Sequence, residues 1–121
     1  MKEKNPYFRL TLITTHQNSI EKARNFSKLI QKKLNTDIDF KISKYGKLTD
    51  SFKIFCIGKL NTASEIIPQL IELSDRICSP WIVNYDRNEH TIELLFQSEH
   101  GQFRKNEFNV IHWALMEVEY L

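Results

Sequence analysis

The run Trp81-Ile-Val-Asn-Tyr-Asp-Arg-Asn-Glu-His-Thr-Ile-Glu-Leu-Leu-Phe-Gln97 contains two strands and the turn between them. Trp81, Val83 and Tyr85 alternate along the first strand, and Ile92, Leu94 and Phe96 along the second, which is the two-residue period of half-buried β-structure. Asp86 to His90 supplies the turn, because Asp and Asn side chains bond their own backbone. Such a hairpin is marginal alone and needs more strands or a helix over one face. The flanking sequence must supply that cover.

Upstream, Asn61 to Pro68 opens a helix. Ser64 at the N-cap keeps Pro68 in the first turn, where its missing N–H costs little. Ile67, Leu70, Ile71, Ser74 and Ile77 then face the sheet, and Ser79-Pro80 ends the helix because the residue before proline avoids helical backbone. Phe52 to Leu60 is apolar on both sides, with Phe52, Ile54 and Cys56 on one face and Phe55 and Ile57 on the other, as in an inner strand. Asp37 to Lys44 alternates strictly, Ile38, Phe40 and Ile42 inward; the loop Tyr45 to Asp50 follows, where Gly46 is free to take positive φ. Asn18, with Glu21 three residues on, reads as the N-cap of a helix reaching Asn35. Ile20, Ala23, Ser27, Ile30 and Leu34 form its stripe, widened by Phe26 and Leu29. Tyr7 to His16 is the first strand, Phe8, Leu10 and Leu12 inward.

Downstream, Ser98 to Asn106 is a polar loop. The tail from Phe108 fits helix and strand spacing alike; its reading is a single turn near Asn106–Ile111 and a closing strand from His112 to Tyr120. Trp81 and Trp113, among apolar neighbours, are read as core anchors. The predicted fold is one α+β domain over residues 1–121. Its first six elements follow a ferredoxin-like β-α-β-β-α-β order, with helices on one face of an antiparallel sheet extended by one or two C-terminal strands.

Hydrophobic and charged fractions of 41% and 26% are those of a folded chain rather than a disordered one. No apolar run reaches the ~20 residues needed to span a bilayer, and the N-terminus lacks the apolar core of a signal peptide. A cytoplasmic protein with no membrane partner is expected, with Cys56 and Cys78 free and buried. Net charge of +2 conceals an asymmetry: residues 1–60 carry thirteen Lys/Arg against five Asp/Glu, and residues 61–121 four against ten. A basic and an acidic pole follow if the halves do not interleave in the sheet, and such poles steer charged partners.

Catalytic signatures are absent. His16, His90, His100 and His112 have no zinc-motif spacing. Gly46, Gly58 and Gly101 are too dispersed for a phosphate loop, and no nucleophile elbow exists. No cofactor, metal or enzymatic activity is expected. Acidic residues gather in the last third, and pairing of the strands bearing Glu93, Glu117 and Glu119 would place all three on one exposed face. That face reads either as a solvated surface that keeps an edge strand from aggregating or, with Asp86, Glu89 and Glu99, as the candidate docking surface for a basic protein. Lys-rich residues 22–59 raise a small nucleic-acid-binding module as the alternative, but Phe52-Lys-Ile-Phe-Cys-Ile-Gly-Lys59 lacks the glycine-aromatic pattern of RNA-recognition strands.

Trp81-Ile-Val-Asn-Tyr-Asp, Thr91-Ile-Glu-Leu-Leu-Phe-Gln and Phe108-Asn-Val-Ile-His-Trp-Ala together resemble segments of small immunity proteins from bacterial contact-dependent growth inhibition and related polymorphic toxin systems. The resemblance implies a cytoplasmic protein that binds one cognate toxin domain, often a nuclease, and blocks its active site or a needed surface; separately, a monomer or weak dimer is expected. It implies no catalytic residues. With a net charge of +2, any mimicry of nucleic acid must be local.

Overall fold

The computed structural model describes residues 5–89 and 91–120. Expectations that rest on residues 1–4 or on His90 lie outside the described residues. In chain order the elements are β1 (Pro6–Thr14), α1 (Ile20–Leu34), β2 (Ile38–Lys44), β3 (Phe52–Lys59), α2 (Ile66–Asp75), β4 (Cys78–Ser79), β5 (Ile82–Asp86), β6 (Thr91–Gln97), β7 (Gln102–Phe103) and β8 (Ile111–Tyr120). Short 3-10 turns occupy Ser98–His100 and Asn106–Val110. The ambiguous tail is thus a turn and then a strand, as read.

The fold is α+β: two helices lie on one face of a six-stranded antiparallel sheet ordered β2-β3-β1-β8-β6-β5, and β4 pairs separately with β7. The β1-α1-β2-β3 half follows the expected unit, with β3 between β1 and β2. The second half departs from it. β8 occupies the place beside β1, and β5, the first strand of the main sheet after α2, becomes the far edge. The reason lies in β8, a ten-residue strand whose Ala114, Met116 and Val118 match Leu12, Leu10 and Phe8 of β1 in register. β5 has only five residues and remains paired with β6, its hairpin neighbour.

The core fills the helix face. Phe8, Leu10 and Leu12 meet Ile54 and Cys56 on one side and Leu94, Phe96, Ala114 and Met116 on the other. α1 covers the β2–β3 side with Ala23, Phe26, Ile30 and Leu34, while α2 inserts Leu70 near β6. Ser19, not Asn18, caps α1, its Oγ accepting from the Lys22 backbone N–H at 3.2 Å. In the β2–β3 loop Asp50, not Gly46, takes positive φ, at 51°.

Further departures concern α2 and the tryptophans. The helix starts after Glu65 rather than Ser64, and Pro68 stays in its first turn. Leu70, Ser74 and Ile77 are buried as read, but Ile67 and Ile71 are exposed, because Ile66 and Leu73 take the other flank of the buried stripe. Trp81 packs against Phe96, and its indole donates to the carbonyls of Cys78 at 2.7 Å and Ser74 at 3.1 Å. Trp113 is no core anchor. Ala114 and Met116 turn inward, so the pleat puts Trp113 on the opposite face.

Candidate functional site

Because both helices lie on one face, no helix among the described residues covers the other face of the sheet, and strand register fixes which side chains meet there. One row runs Ile57, Arg9, Glu117, Glu93 and Asn84 across β3, β1, β8, β6 and β5. The next runs Phe55, Thr11, Leu115, Leu95 and Ile82, and a third Lys53, Ile13, Trp113 and Gln97. An apolar band therefore lies beside the charged Arg9–Glu117–Glu93 row and continues through Ile13 and Trp113 into the third. Phe55, Leu95, Trp113 and Leu115 are all half-buried, which is unusual for a purely solvated face.

Glu93, Glu117 and Glu119 share this face. Glu93 and Glu117 stand directly opposite each other on β6 and β8, an arrangement of like charges that costs stability. Arg9 organises the group. Its guanidinium lies 3.1 Å from Glu117 and 3.6 Å from Glu119, and 5.7 Å from the centroid of the Phe55 ring. Two of the three carboxylates are thereby paired, and Glu93 has no ion-pair partner among the described residues.

The remaining acidic candidates are more scattered. Asp86 ends β5, where its Oδ1 accepts from the backbone N–H groups of Asn88 at 2.9 Å and Glu89 at 3.2 Å, so it shapes the hairpin turn. Glu89 is exposed in that turn. Glu99 lies in the 3-10 turn beyond the other end of β6, away from Asp86 and Glu89. Arg9 and the apolar band were not legible as site residues, since their neighbours depend on β1 pairing with β8. One signal was present: Trp113 and Leu115 make β8 apolar on both sides.

At the other end of the same face, the β2–β3 loop forms a wall. A groove of about 610 Å³ is lined by Tyr45, Lys47 and Leu48 of that loop, with Arg9, Lys53, His112 and Trp113 on the strands. Leu115 and Glu117 of β8 also line it, so the groove reaches the acidic row, where Arg9 pairs with Glu117.

Among the described residues no group of three or more His, Cys, Asp or Glu is placed to hold a metal ion. Cys56 and Cys78 are free and buried. Burial raises the Cys56 thiol far above its ordinary range and pushes Cys78 up to about 12, with nearby Arg104 lowering and Asp75 raising the latter. Both thiols stay protonated near neutrality and lack the thiolate that nucleophilic chemistry needs. No described helix is long and apolar enough to cross a membrane. Comparison with known proteins found no matching family model, curated protein or solved structure.

Proposed function

We propose that this chain is a non-enzymatic inhibitor of the immunity type, which binds one cognate toxin domain through the acidic half of its uncovered sheet face and blocks that domain's active site or a needed surface. The observation carrying the reading is the Glu93–Glu117 opposition beside the half-buried apolar band. Like charges facing each other across a ladder oppose folding, and an incoming Lys or Arg would relieve that cost. Leu95 and Leu115 supply apolar contact next to it, with charge at the rim. Toxins that act on nucleic acid are commonly basic, so a local acidic surface speeds encounter and excludes wrong partners. The setting is the cytoplasm, where such toxins act.

The test is calorimetric titration of the full chain with the toxin domain encoded immediately upstream, disabled catalytically for expression. A one-to-one complex at about nanomolar affinity is expected, and Glu93→Lys should weaken it by roughly tenfold or more without loss of fold. Absence of binding by the unaltered chain would refute the reading.

The groove lined by Tyr45, Lys47, Lys53 and Trp113 favours a second reading, a small nucleic-acid-binding module. Aromatic rings beside cations suit stacked bases and phosphates. Binding of single-stranded RNA or DNA that falls steeply with salt and is lost in Lys47→Glu/Lys53→Glu would support it.

A further inference from the structure

The two edges of the six-stranded sheet are built differently. β2 ends one side with exposed Asp39, Lys41 and Lys44, charges that discourage another strand. β5 ends the other with Ile82-Val83-Asn84-Tyr85, a stretch without charge, proline or bulge. Ile82, Val83 and Tyr85 are 58%, 47% and 51% exposed. Beside them on the helix face, Ile67 and Ile71 of α2 are 37% and 46% exposed. α2 runs opposite in direction to β5. Its first turn shares a cleft with Tyr85, and near its end the Ser74 carbonyl accepts from the Trp81 indole. Ile67 therefore stands by Tyr85, and Ile71 lies one turn on, toward Val83.

We infer that β5 is a pairing edge and that its occupant is β5 of a second copy of this chain, antiparallel about a two-fold axis at Asn84. Self-complementarity selects this occupant. In that register Val83 meets Tyr85 of the second copy twice over, and Asn84 meets its own equivalent. Asp86 comes opposite Ile82, and Arg87 opposite Trp81, so no like charges oppose each other directly. Opposed residues of an antiparallel pair share a face, which keeps Ile67 and Ile71 of both copies on one side of the joint. Pairing β5 with β2 of the next copy would match an acidic to a basic region. It would not close, however, and the charges on β2 oppose it.

The interface is small. Five strand residues and a helix flank fall below the roughly 1,200 Å² of stable complexes, so the dimer is weak. It also brings two acidic halves together, so added salt should strengthen it by screening their repulsion. This sign separates it from an association driven by opposite charges, which salt weakens.

The experiment is sedimentation of the full chain from about 10 µM to about 1 mM, the range for a small interface, at low and high salt. The expected result is a concentration-dependent shift from one to two chain masses that salt strengthens several-fold. Tyr85→Lys should weaken association by roughly tenfold or more, with an unchanged circular dichroism spectrum because the position is exposed. Val83→Lys provides a second variant. In the unaltered chain, backbone amides of β5 should exchange more slowly as concentration rises. A monomer throughout, or a dimer indifferent to both substitutions, would overturn the inference. So would β5 amides protected only when the toxin domain is added, which would assign the edge to a strand of that partner. None of these outcomes bears on whether the toxin domain binds the sheet face.

Discussion

On the proposed reading, Glu93 and Glu117 pull binding and stability in opposite directions, which gives Glu93→Lys two measurable consequences. A lysine there would face Glu117 across the β6–β8 ladder and turn a repulsive pair into an attractive one. The fold is expected to gain roughly 0.2–1 kcal/mol while toxin binding falls, measurable as a higher denaturation midpoint and a weaker calorimetric affinity for one variant. Loss of both stability and binding would mean that Glu93 serves the fold instead. Glycine matters at two sites for reasons unrelated to turns. A Cβ at Gly101 would enter the Phe96 ring, and one at Gly58 would come within 2.5 Å of the Phe8 ring. Both rings are fully buried and cannot retreat. Gly58→Ala and Gly101→Ala should each cost about 1–3 kcal/mol by overpacking, read from denaturant midpoints at unchanged slope. Sequence gives no sign of these approaches, because ring and glycine are far apart along the chain for Phe8 and Gly58.

Element type was largely legible where one period dominated. The alternation of Tyr7–His16, Asp37–Lys44 and Phe52–Leu60 fixes both strand and inward face, and the structure agrees within two residues at the ends, with Ile13 and Thr14 both buried where β1 closes. Two kinds of detail were not. Strand order depends on which long strand best matches β1, and no local pattern says that β8 will fill that place before β5 does. Helix register was also ambiguous: α2 carries apolar residues at Ile66, Ile67, Leu70, Ile71 and Leu73, more than one face can bury, so periodicity alone cannot tell which flank stays wet. Cap assignment failed by one residue at α1 because Asn18 and Ser19 are both good caps. The two are separable. Ser19→Ala should cost about 1 kcal/mol, since the Lys22 N–H loses its acceptor, whereas Asn18→Ala should change the melting temperature little. The reverse order of effects would put the cap back at Asn18.

For the molecule as a whole, the strand order turns a sequence asymmetry into a spatial one. β2, β3 and β1 come from the basic half of the chain and β8, β6 and β5 from the acidic half, and no strand crosses between them. α1, with Lys28, Lys32 and Lys33, lies over the first group, and α2, with Glu72 and Asp75, over the second. The chain is thus electrically polar at a net charge of only +2, and its field should govern how a charged partner approaches. Rates test this better than affinities, because long-range steering acts on association and short contacts on dissociation. For a basic toxin domain, the association rate should fall at least about tenfold between low and high salt, with the dissociation rate little changed. Charge reversal should then act with opposite signs at the two ends. Glu93→Lys slows association, whereas Lys47→Glu/Lys53→Glu, in the basic half of the chain, removes repulsion and speeds it. A rate indifferent to salt, or two variants that shift it in the same direction, would show that the polarity arises from the order of the strands and plays no part in recognition.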